Sequence, residues 1–177
     1  MVIIINGKGG CGKDTLIRSC DLTRLERIFN ISSVDFIKKI LFEMKIDTSQ
    51  KTNKFRQLVS DLKKAFTEYN DLPYRYALND ILRLYERFNK SIIFVHIQEP
   101  SEIRKMVKEL TEDDIYVRTL LIKRKETDEQ EYENDSDNDV ENYTYDYVFH
   151  NDDPLDISME HFNELISNIL EDETKNG

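Results

Sequence analysis

The chain has 177 residues, of which 39% are hydrophobic and two are cysteines. That length supports one domain with its own core, and two cysteines are too few for a disulfide framework. The formal net charge of −10 argues against a general nucleic-acid binder, because such a protein needs a basic face to displace counterions. No apolar run is long enough to cross a membrane and no signal peptide is visible, so we expect a cytoplasmic protein without nucleic-acid or membrane partners.

A buried strand and a glycine-rich loop open the chain. Residues 2–5 are all β-branched, as a central parallel strand covered on both faces requires. Gly7, Gly12 and Lys13 then have the spacing G-x-x-x-x-G-K of a P-loop, in which backbone amides and one lysine surround phosphate oxygens. The alternative is a glycine-rich turn without a ligand. The residues expected to bind a nucleoside triphosphate are Gly7, Lys8, Gly9, Gly10, Cys11, Gly12, Lys13, Asp14 and Thr15.

A magnesium site is expected beside this loop, with one unusual residue in it. Asp14 stands where the motif usually has a serine or threonine whose hydroxyl binds Mg²⁺, and Thr15 follows it. A carboxylate is also an oxygen ligand for Mg²⁺, so either residue can face the metal. Glu99, just after a later predicted strand, is a third candidate ligand; the alternative is a role at the start of the next helix.

Strands and helices alternate along the rest of the chain. Strands are predicted at residues 2–5, 28–34, 91–98, 116–122 and 143–149. Helices are predicted from Gly12, at 36–44, at 52–69, at 73–88, from Ser101 as N-cap to Leu110, and after Pro154 with an apolar face of Ile157, Met159, Phe162, Leu165, Ile166, Ile169 and Leu170. This order predicts a single α/β domain, a three-layer α/β/α P-loop fold with a five-stranded parallel sheet. His96, inside the third strand, is expected to pack in the core.

Two segments lie outside this alternation. Residues 45–88 carry a helical insertion with interleaved basic and aromatic side chains, which could bind an acceptor nucleotide or simply form a solvated face over core aromatics. Residues 123–142 enclose an acidic excursion, expected to be a flexible lid-like loop; an EF-hand is rejected because its glycine and distal glutamate are missing. Asp35, just after the second strand, either faces the ligand or caps the next helix.

Two known loop patterns compete for residues 7–15. Gly-Lys-Gly-Gly-Cys-Gly-Lys resembles the deviant loop of partition and division-site ATPases, in which Lys8 would reach a second subunit's nucleotide, but the Asp-rich strand end of those proteins is absent. The ending Gly-Lys-Asp-Thr instead resembles the bacteriophage deoxynucleoside monophosphate kinases, and more loosely phosphomevalonate kinase. Further blocks that resemble the phage family are residues 32–40, 55–71, 96–103, 119–124 and 139–147. Gln98 departs from that family's pattern, which often has arginine there.

The resemblance implies a nucleoside monophosphate kinase that uses ATP and Mg²⁺ and forms a monomer or homodimer. Its partners would be small-molecule nucleotides, and its reaction would convert a (deoxy)nucleoside monophosphate to the diphosphate. Lys13 and Arg124 are the catalytic candidates, with Arg118 as a weaker second choice for Arg124. The residues proposed for the acceptor are Asp35, Phe36, Lys38, Arg56, Lys63, Tyr69 and Arg75. A P-loop kinase of another small phosphorylated metabolite remains the alternative.

Overall fold

A parallel β-sheet forms the centre of the molecule. The computed structural model describes residues 1–20, 27–49, 52–88, 91–128 and 139–176. Within these residues there are five strands: β1 (Val2–Asn6), β2 (Arg27–Ser32), β3 (Ser91–His96), β4 (Val117–Lys123) and β5 (Tyr147–His150). They pair in the order β2-β3-β1-β4-β5, and every pairing is parallel. The predicted five-stranded parallel sheet is therefore confirmed, with β1 at its centre.

Seven helices occur in the same described ranges. They are α1 (Lys13–Arg18), α2 (Asp35–Glu43), α3 (Asn53–Asn70), α4 (Leu72–Arg87), α5 (Pro100–Glu112), α6 (Lys125–Asp128) and α7 (Leu155–Asn176). A single 3-10 turn, Asp139–Glu141, precedes β5. No described helix is long and apolar enough to cross a membrane.

The strand β1 explains why the sheet is covered on both faces. Ile3 and Ile5 belong to a core with Leu16 of α1 and Phe162 of α7, whereas Ile4 points into a second core with α4 and α5. Successive side chains of a strand point to opposite faces, so a run of β-branched residues must be buried twice. The result is the predicted three-layer α/β/α arrangement.

The helices α2 and α3 form a third, smaller core apart from the sheet. Ile37, Leu41, Phe55 and Val59 make up its buried centre. Thr52 begins α3 as an N-cap, because its hydroxyl accepts a hydrogen bond from the amide of Phe55 at 3.2 Å. The helical insertion predicted at residues 45–88 is thus present as α3 and α4, with α2 packed against them.

The last strand is shorter than its sequence indicates. The alternation of residues 143–149 predicts a strand from Tyr143, but β5 begins at Tyr147. The carboxylate of Asp146 accepts hydrogen bonds from both the amide and the hydroxyl of Thr119, each at 2.8 Å. The side chain of Asp146 thus accepts the hydrogen bond from a β4 amide that the backbone of a longer β5 would have accepted. The hydroxyl of Tyr145 accepts a hydrogen bond from the side chain of Asn6.

Three smaller predictions also need correction or fall outside the description. Ser101 does not cap α5, because that helix already begins at Pro100 and has Glu99 at its N-cap position without a side-chain cap. Ile157 was expected on the buried face of the last helix, but it is 40% exposed in the first turn of α7. Residues 129–138, half of the predicted lid, lie outside the described residues.

Candidate functional site

The glycine-rich loop joins the carboxyl end of β1 to α1. In open parallel sheets, ligands bind in the crevice at this edge, and β1 is flanked there by β3 and β4. Gly7, Gly10 and Gly12 have φ values of +147°, +88° and +96°, a region that side chains disfavour. The predicted strand–loop–helix context of the phosphate-binding motif is therefore present.

Two of these glycines are also required by space. A Cβ at Gly7 would collide with the carbonyl oxygen of Ile122 and lie 2.8 Å from the sulfur of Cys11. A Cβ at Gly12 would collide with the side-chain amide of Asn151. Gly10 is different, since the nearest atom to its Cβ would be a methyl of Thr127 at 3.7 Å. The loop is thus packed tightly at both ends and open at its exposed middle.

Lys13 folds back over the loop. Its ammonium group donates hydrogen bonds to the carbonyl oxygens of Gly7 and Lys8, the latter at 3.0 Å, and lies 3.4 Å from the sulfur of Cys11. The positive charge is thereby held above the loop backbone. An anion bound by the loop amides would meet this ammonium directly.

Two asparagines that the sequence analysis did not single out support the loop. Asn6 accepts a hydrogen bond from the amide of Gly7 at 2.8 Å, and it donates to the carbonyl of Gln98 at 3.0 Å and to the hydroxyl of Tyr145 at 2.7 Å. Asn151 donates to the carbonyl of Cys11 at 2.8 Å. Asn151 follows β5 in the chain, so its contact with the loop has no local signal in the sequence.

Asp14 lies in the first turn of α1 and is 68% exposed at its side chain. Asn30 of β2 donates a hydrogen bond to Asp14 Oδ1 at 3.3 Å, and His96 Nε2 lies 3.7 Å from the same oxygen. His96 Nε2 also lies 2.7 Å from Asn30 Oδ1. The expectation that His96 packs in the core is therefore only half correct: its side chain is 16% exposed, and its polar edge faces the candidate site.

The pKa of His96 is lowered to about 4. Burial of the ring is the main cause, and the positive charges of Lys13 and Lys38 add to it, whereas the negative charge of Asp14 opposes it. At neutral pH the imidazole is therefore uncharged. Both lysines are thereby close enough to the ring to act on its charge, from α1 and from α2.

A buried ion-pair cluster lies at the start of α5. Lys63 of α3 contacts Glu99 at 2.5 Å and Glu102 at 3.0 Å. Burial raises the pKa of Glu102 to about 7, and the negative charge of Glu99 adds to the effect of burial, although Lys63 opposes it. Burial also acts on Glu99, but the charge and hydrogen bond of Lys63 outweigh it and hold the pKa of Glu99 below its usual value.

The residues after β2 also lie at the carboxyl edge of the sheet. Asp35, the first residue of α2, accepts a hydrogen bond from the amide of Ser32 at 2.7 Å and lies 3.6 Å from the ammonium of Lys38. It therefore ties the strand end to the helix. Phe36 packs its ring against Phe66 and Tyr76 within the third core.

The remaining candidates are distributed more widely. Arg56, Arg75 and Tyr69 are all exposed on α3 and α4, Tyr69 being 79% exposed. Arg124 directly follows β4 and pairs with Glu126 at 2.9 Å. Arg118 lies at the other end of β4, in register with Ile3 and with its guanidinium over the ring of Tyr116.

The described residues contain no group of three or more histidine, cysteine or acidic side chains able to hold a metal ion by themselves. Asp14 and Thr15 are both exposed in the first turn of α1. Glu99 is occupied by Lys63. Such a donor set suits Mg²⁺, which keeps several waters and is usually bound by one or two side chains together with substrate phosphates.

Solved structures share this architecture at low sequence identity. The APS kinase CysC of Mycobacterium tuberculosis aligns with a TM-score of 0.51 and 14% identity, covering 94% of this chain and 96% of its own. A protein of Chloroflexus aurantiacus proposed to be a kinase gives 0.53 and 12%, with coverages of 94% and 96%. The tunicamycin resistance protein of Deinococcus radiodurans gives 0.55 and 14%, with coverages of 93% and 94%. No protein-family model and no curated protein matches the sequence. The chain has a fold shared with kinases of the P-loop type.

Proposed function

We propose that the protein transfers the terminal phosphoryl group of ATP to a (deoxy)nucleoside monophosphate, giving ADP and the diphosphate. The observation that carries this proposal is the loop at residues 7–13, where three glycines with positive φ are followed by a lysine folded over the backbone. The kinase among the similar solved structures supports phosphoryl transfer. The acceptor class is supported by the resemblance of the Gly-Lys-Asp-Thr ending to the phage kinases.

On the donor side, the loop supplies positioning and charge. We propose that the amides of residues 7–13 and the ammonium of Lys13 hold the phosphates of ATP. Phosphoryl transfer needs alignment of the reacting oxygens and stabilisation of charge, with little covalent chemistry from the protein. Lys13, released from the carbonyls of Gly7 and Lys8, can follow the transferred group because a lysine side chain is flexible.

Magnesium would be held by Asp14 or Thr15 together with phosphate oxygens and water, and when bound it neutralises charge on the transferring phosphoryl group. Arg124 is proposed to reach the donor nucleotide or the transferred group from the end of β4. Its partner Glu126 is highly exposed, so the pair costs little to separate.

On the acceptor side, we propose that Lys38 binds the acceptor phosphate from the start of α2, where its ammonium lies 3.6 Å from Asp35 at the carboxyl edge of the sheet. Asp35 is proposed to position the start of α2, and Phe36 to form an apolar wall of the acceptor site. Arg56, Tyr69 and Arg75 are proposed to contact the acceptor from the insertion, where all three side chains are exposed.

For Lys63 we propose a structural role in place of contact with the acceptor. Its ammonium is shared by Glu99 and Glu102, so we propose that it holds the acceptor helix α3 against the start of α5 and binds no phosphate itself.

In the reaction, an oxygen of the acceptor phosphate forms a bond to the terminal phosphorus of ATP while the bond from that phosphorus to the bridging oxygen breaks. The acceptor phosphate is already ionised at neutral pH, so no general base is required. The electron pair of the broken bond stays on ADP, where Lys13 and the loop amides can stabilise it.

A coupled assay that detects ADP, with ATP, Mg²⁺ and each common (deoxy)nucleoside monophosphate, tests the proposal. We expect ADP formation with a restricted set of acceptors, and loss of at least about a hundredfold in rate with Lys13→Met. Lys54→Met, at an exposed position in the first turn of α3, is the matched control. Folded protein that forms no ADP with any acceptor would refute the proposal.

A kinase of another small anionic acceptor is the second candidate. It is favoured by the similarity to a protein described as an APS kinase. The same assay with APS and with small phosphorylated metabolites separates the two. Turnover confined to that second panel would replace the first candidate by this one.

A further inference from the structure

An asparagine and a histidine from two neighbouring strands, neither of them proposed for the site from sequence, converge on Asp14. Asn30 is in the middle of β2 and His96 is the last residue of β3. In the parallel register Asn30 lies opposite Phe94 and Ser32 lies opposite His96, so both polar side chains project from the same face of the sheet. That face carries α1, whose first turn contains Asp14.

The hydrogen bonds run in one direction through these three residues. The NH₂ group of Asn30 donates to Asp14 Oδ1, which requires Asn30 Oδ1 to point the other way, toward His96. An uncharged imidazole with its proton on Nε2 donates to that oxygen. The reverse orientation would put the amide oxygen of Asn30 against a carboxylate. The Asp14 carboxylate therefore fixes which end of the Asn30 amide faces it, and His96 Nε2 lies at hydrogen-bond distance from the other end.

The contacts from Asn30 and His96 would hold the negatively charged Asp14 in place beside a bound phosphate. A carboxylate at the place of the usual hydroxyl is negatively charged and would be repelled by bound phosphates unless it is held in place. Both described contacts of Asp14 use Oδ1, and the side chain as a whole is 68% exposed. Donors that orient a metal-binding carboxylate typically matter for the metal nearly as much as the ligand itself.

We propose that Asn30 and His96 are positioning residues, which hold Asp14 so that its second carboxylate oxygen can bind Mg²⁺ at the nucleotide. The inference rests on the proposed function, because it needs a nucleotide and a magnesium ion at the loop. It adds two residues that act on the metal through Asp14 and touch neither substrate.

The decisive measurement is the binding of ADP by isothermal titration calorimetry, with Mg²⁺ and with EDTA. The ratio of the two affinities reports how much the metal contributes. We expect Asn30→Ala and His96→Leu to lower this ratio by about tenfold while ADP binding in EDTA stays unchanged. His96→Gln, which keeps a side-chain N–H donor, should restore most of the ratio. Asn79→Ala, exposed on α4, is the matched control and should leave the ratio unchanged.

A double-substitution cycle separates positioning from a general structural effect. With Asp14→Ala in place, Asn30→Ala should produce no further change in the ratio, because the residue it positions is gone. An equal loss in both backgrounds would overturn the inference, as would an unchanged ratio in Asn30→Ala. A changed affinity for the acceptor with an unchanged Mg²⁺ ratio would also overturn it, since His96 and Asn30 would then bind substrate themselves.

The outcomes distinguish this inference from the proposed function. If the wild-type protein binds no ADP under either condition, the proposed function itself has failed. If ADP binds with a clear Mg²⁺ effect that none of the Asn30 or His96 variants alters, only the positioning role is refuted.

Discussion

The glycine-rich loop and the helical insertion of α3 and α4 are held in opposite ways. The loop is built by backbone, through positive φ angles at three glycines and contacts too close for any side chain. The insertion is built by side chains, with a small apolar core and the ion pairs of Lys63 joining α3 to α5. The backbone-built loop leaves no room for a side chain at Gly7 or Gly12, whereas contacts made by side chains tolerate substitution more readily. Four predictions sharpen this contrast.

The largest effect is expected at Gly7. Gly7→Ala places a methyl group against the carbonyl oxygen of Ile122 and the sulfur of Cys11 at a φ of +147°. We expect a loss of about 3 kcal/mol in the free energy of unfolding and loss of ADP binding. Urea denaturation and calorimetry measure the two. Gly10→Ala is the matched control: its φ is also positive but its surroundings are open, so we expect only about 1 kcal/mol. Equal costs at both positions would contradict the tight packing at Gly7.

The second effect is at Lys63. Lys63→Met leaves two neighbouring carboxylates without their shared cation, and we expect a loss of about 2 kcal/mol in the free energy of unfolding. Protonation of Glu102 limits the loss. The affinity for ADP should stay unchanged, because the loop is held independently. Lys64→Met, at the exposed neighbouring position, should cost less than about 0.5 kcal/mol. A fall in ADP affinity with Lys63→Met would show that the two regions are coupled.

The third expected effect is a dependence of folding stability on pH, caused by Glu102. Its pKa of about 7 in the folded protein exceeds that of an unfolded glutamate, so the folded state binds the proton more tightly. This carboxyl therefore stabilises the fold below about pH 4.5, and that contribution is lost as pH rises toward 7. The lowered pKa of Glu99 acts in the opposite direction, with its stabilisation lost as pH falls.

We expect the free energy of unfolding of Glu102→Gln, relative to that of the wild type, to rise by about 1–2 kcal/mol between pH 5 and pH 8. Urea denaturation across that range measures the difference. The difference between the two proteins removes the contributions of the carboxyl groups that do not interact with Glu102. A stability difference that stays constant with pH would show that Glu102 titrates as an ordinary exposed glutamate.

The smallest effect compares two helix starts. Thr52→Ala removes the hydroxyl that accepts from the amide of Phe55, so we expect a loss of about 1 kcal/mol in the free energy of unfolding. Ser101→Ala should cost less than about 0.5 kcal/mol, because Ser101 is exposed within α5 and is not its cap. A larger cost at Ser101 than at Thr52 would reverse the assignment of caps in the structure.

The parts of the site that were predicted from sequence share one property: their signals are local. The glycine spacing around Lys13 and the β-branched run of β1 lie within a dozen consecutive residues, and backbone geometry follows directly from them. The contacts of Asn30, His96 and Asn151 were not predicted, because each joins residues that are far apart in the chain. A polar residue inside a strand pattern does not reveal which neighbour it will meet.

Sequence patterns alone predict the sheet, the alternation of helices and strands, and the glycine-rich loop, because these depend on hydrophobic period and on the positions of glycine. The pairing of Lys63 with Glu99 and Glu102, and the approach of Asn30 and His96 to Asp14, follow only from the folded structure. These pairings arise where β2, β3, α1, α3 and α5 converge at one edge of the sheet. These residues are far apart in the chain, so sequence patterns do not reveal the pairings, and burial gives the Lys63 pairs their energetic weight.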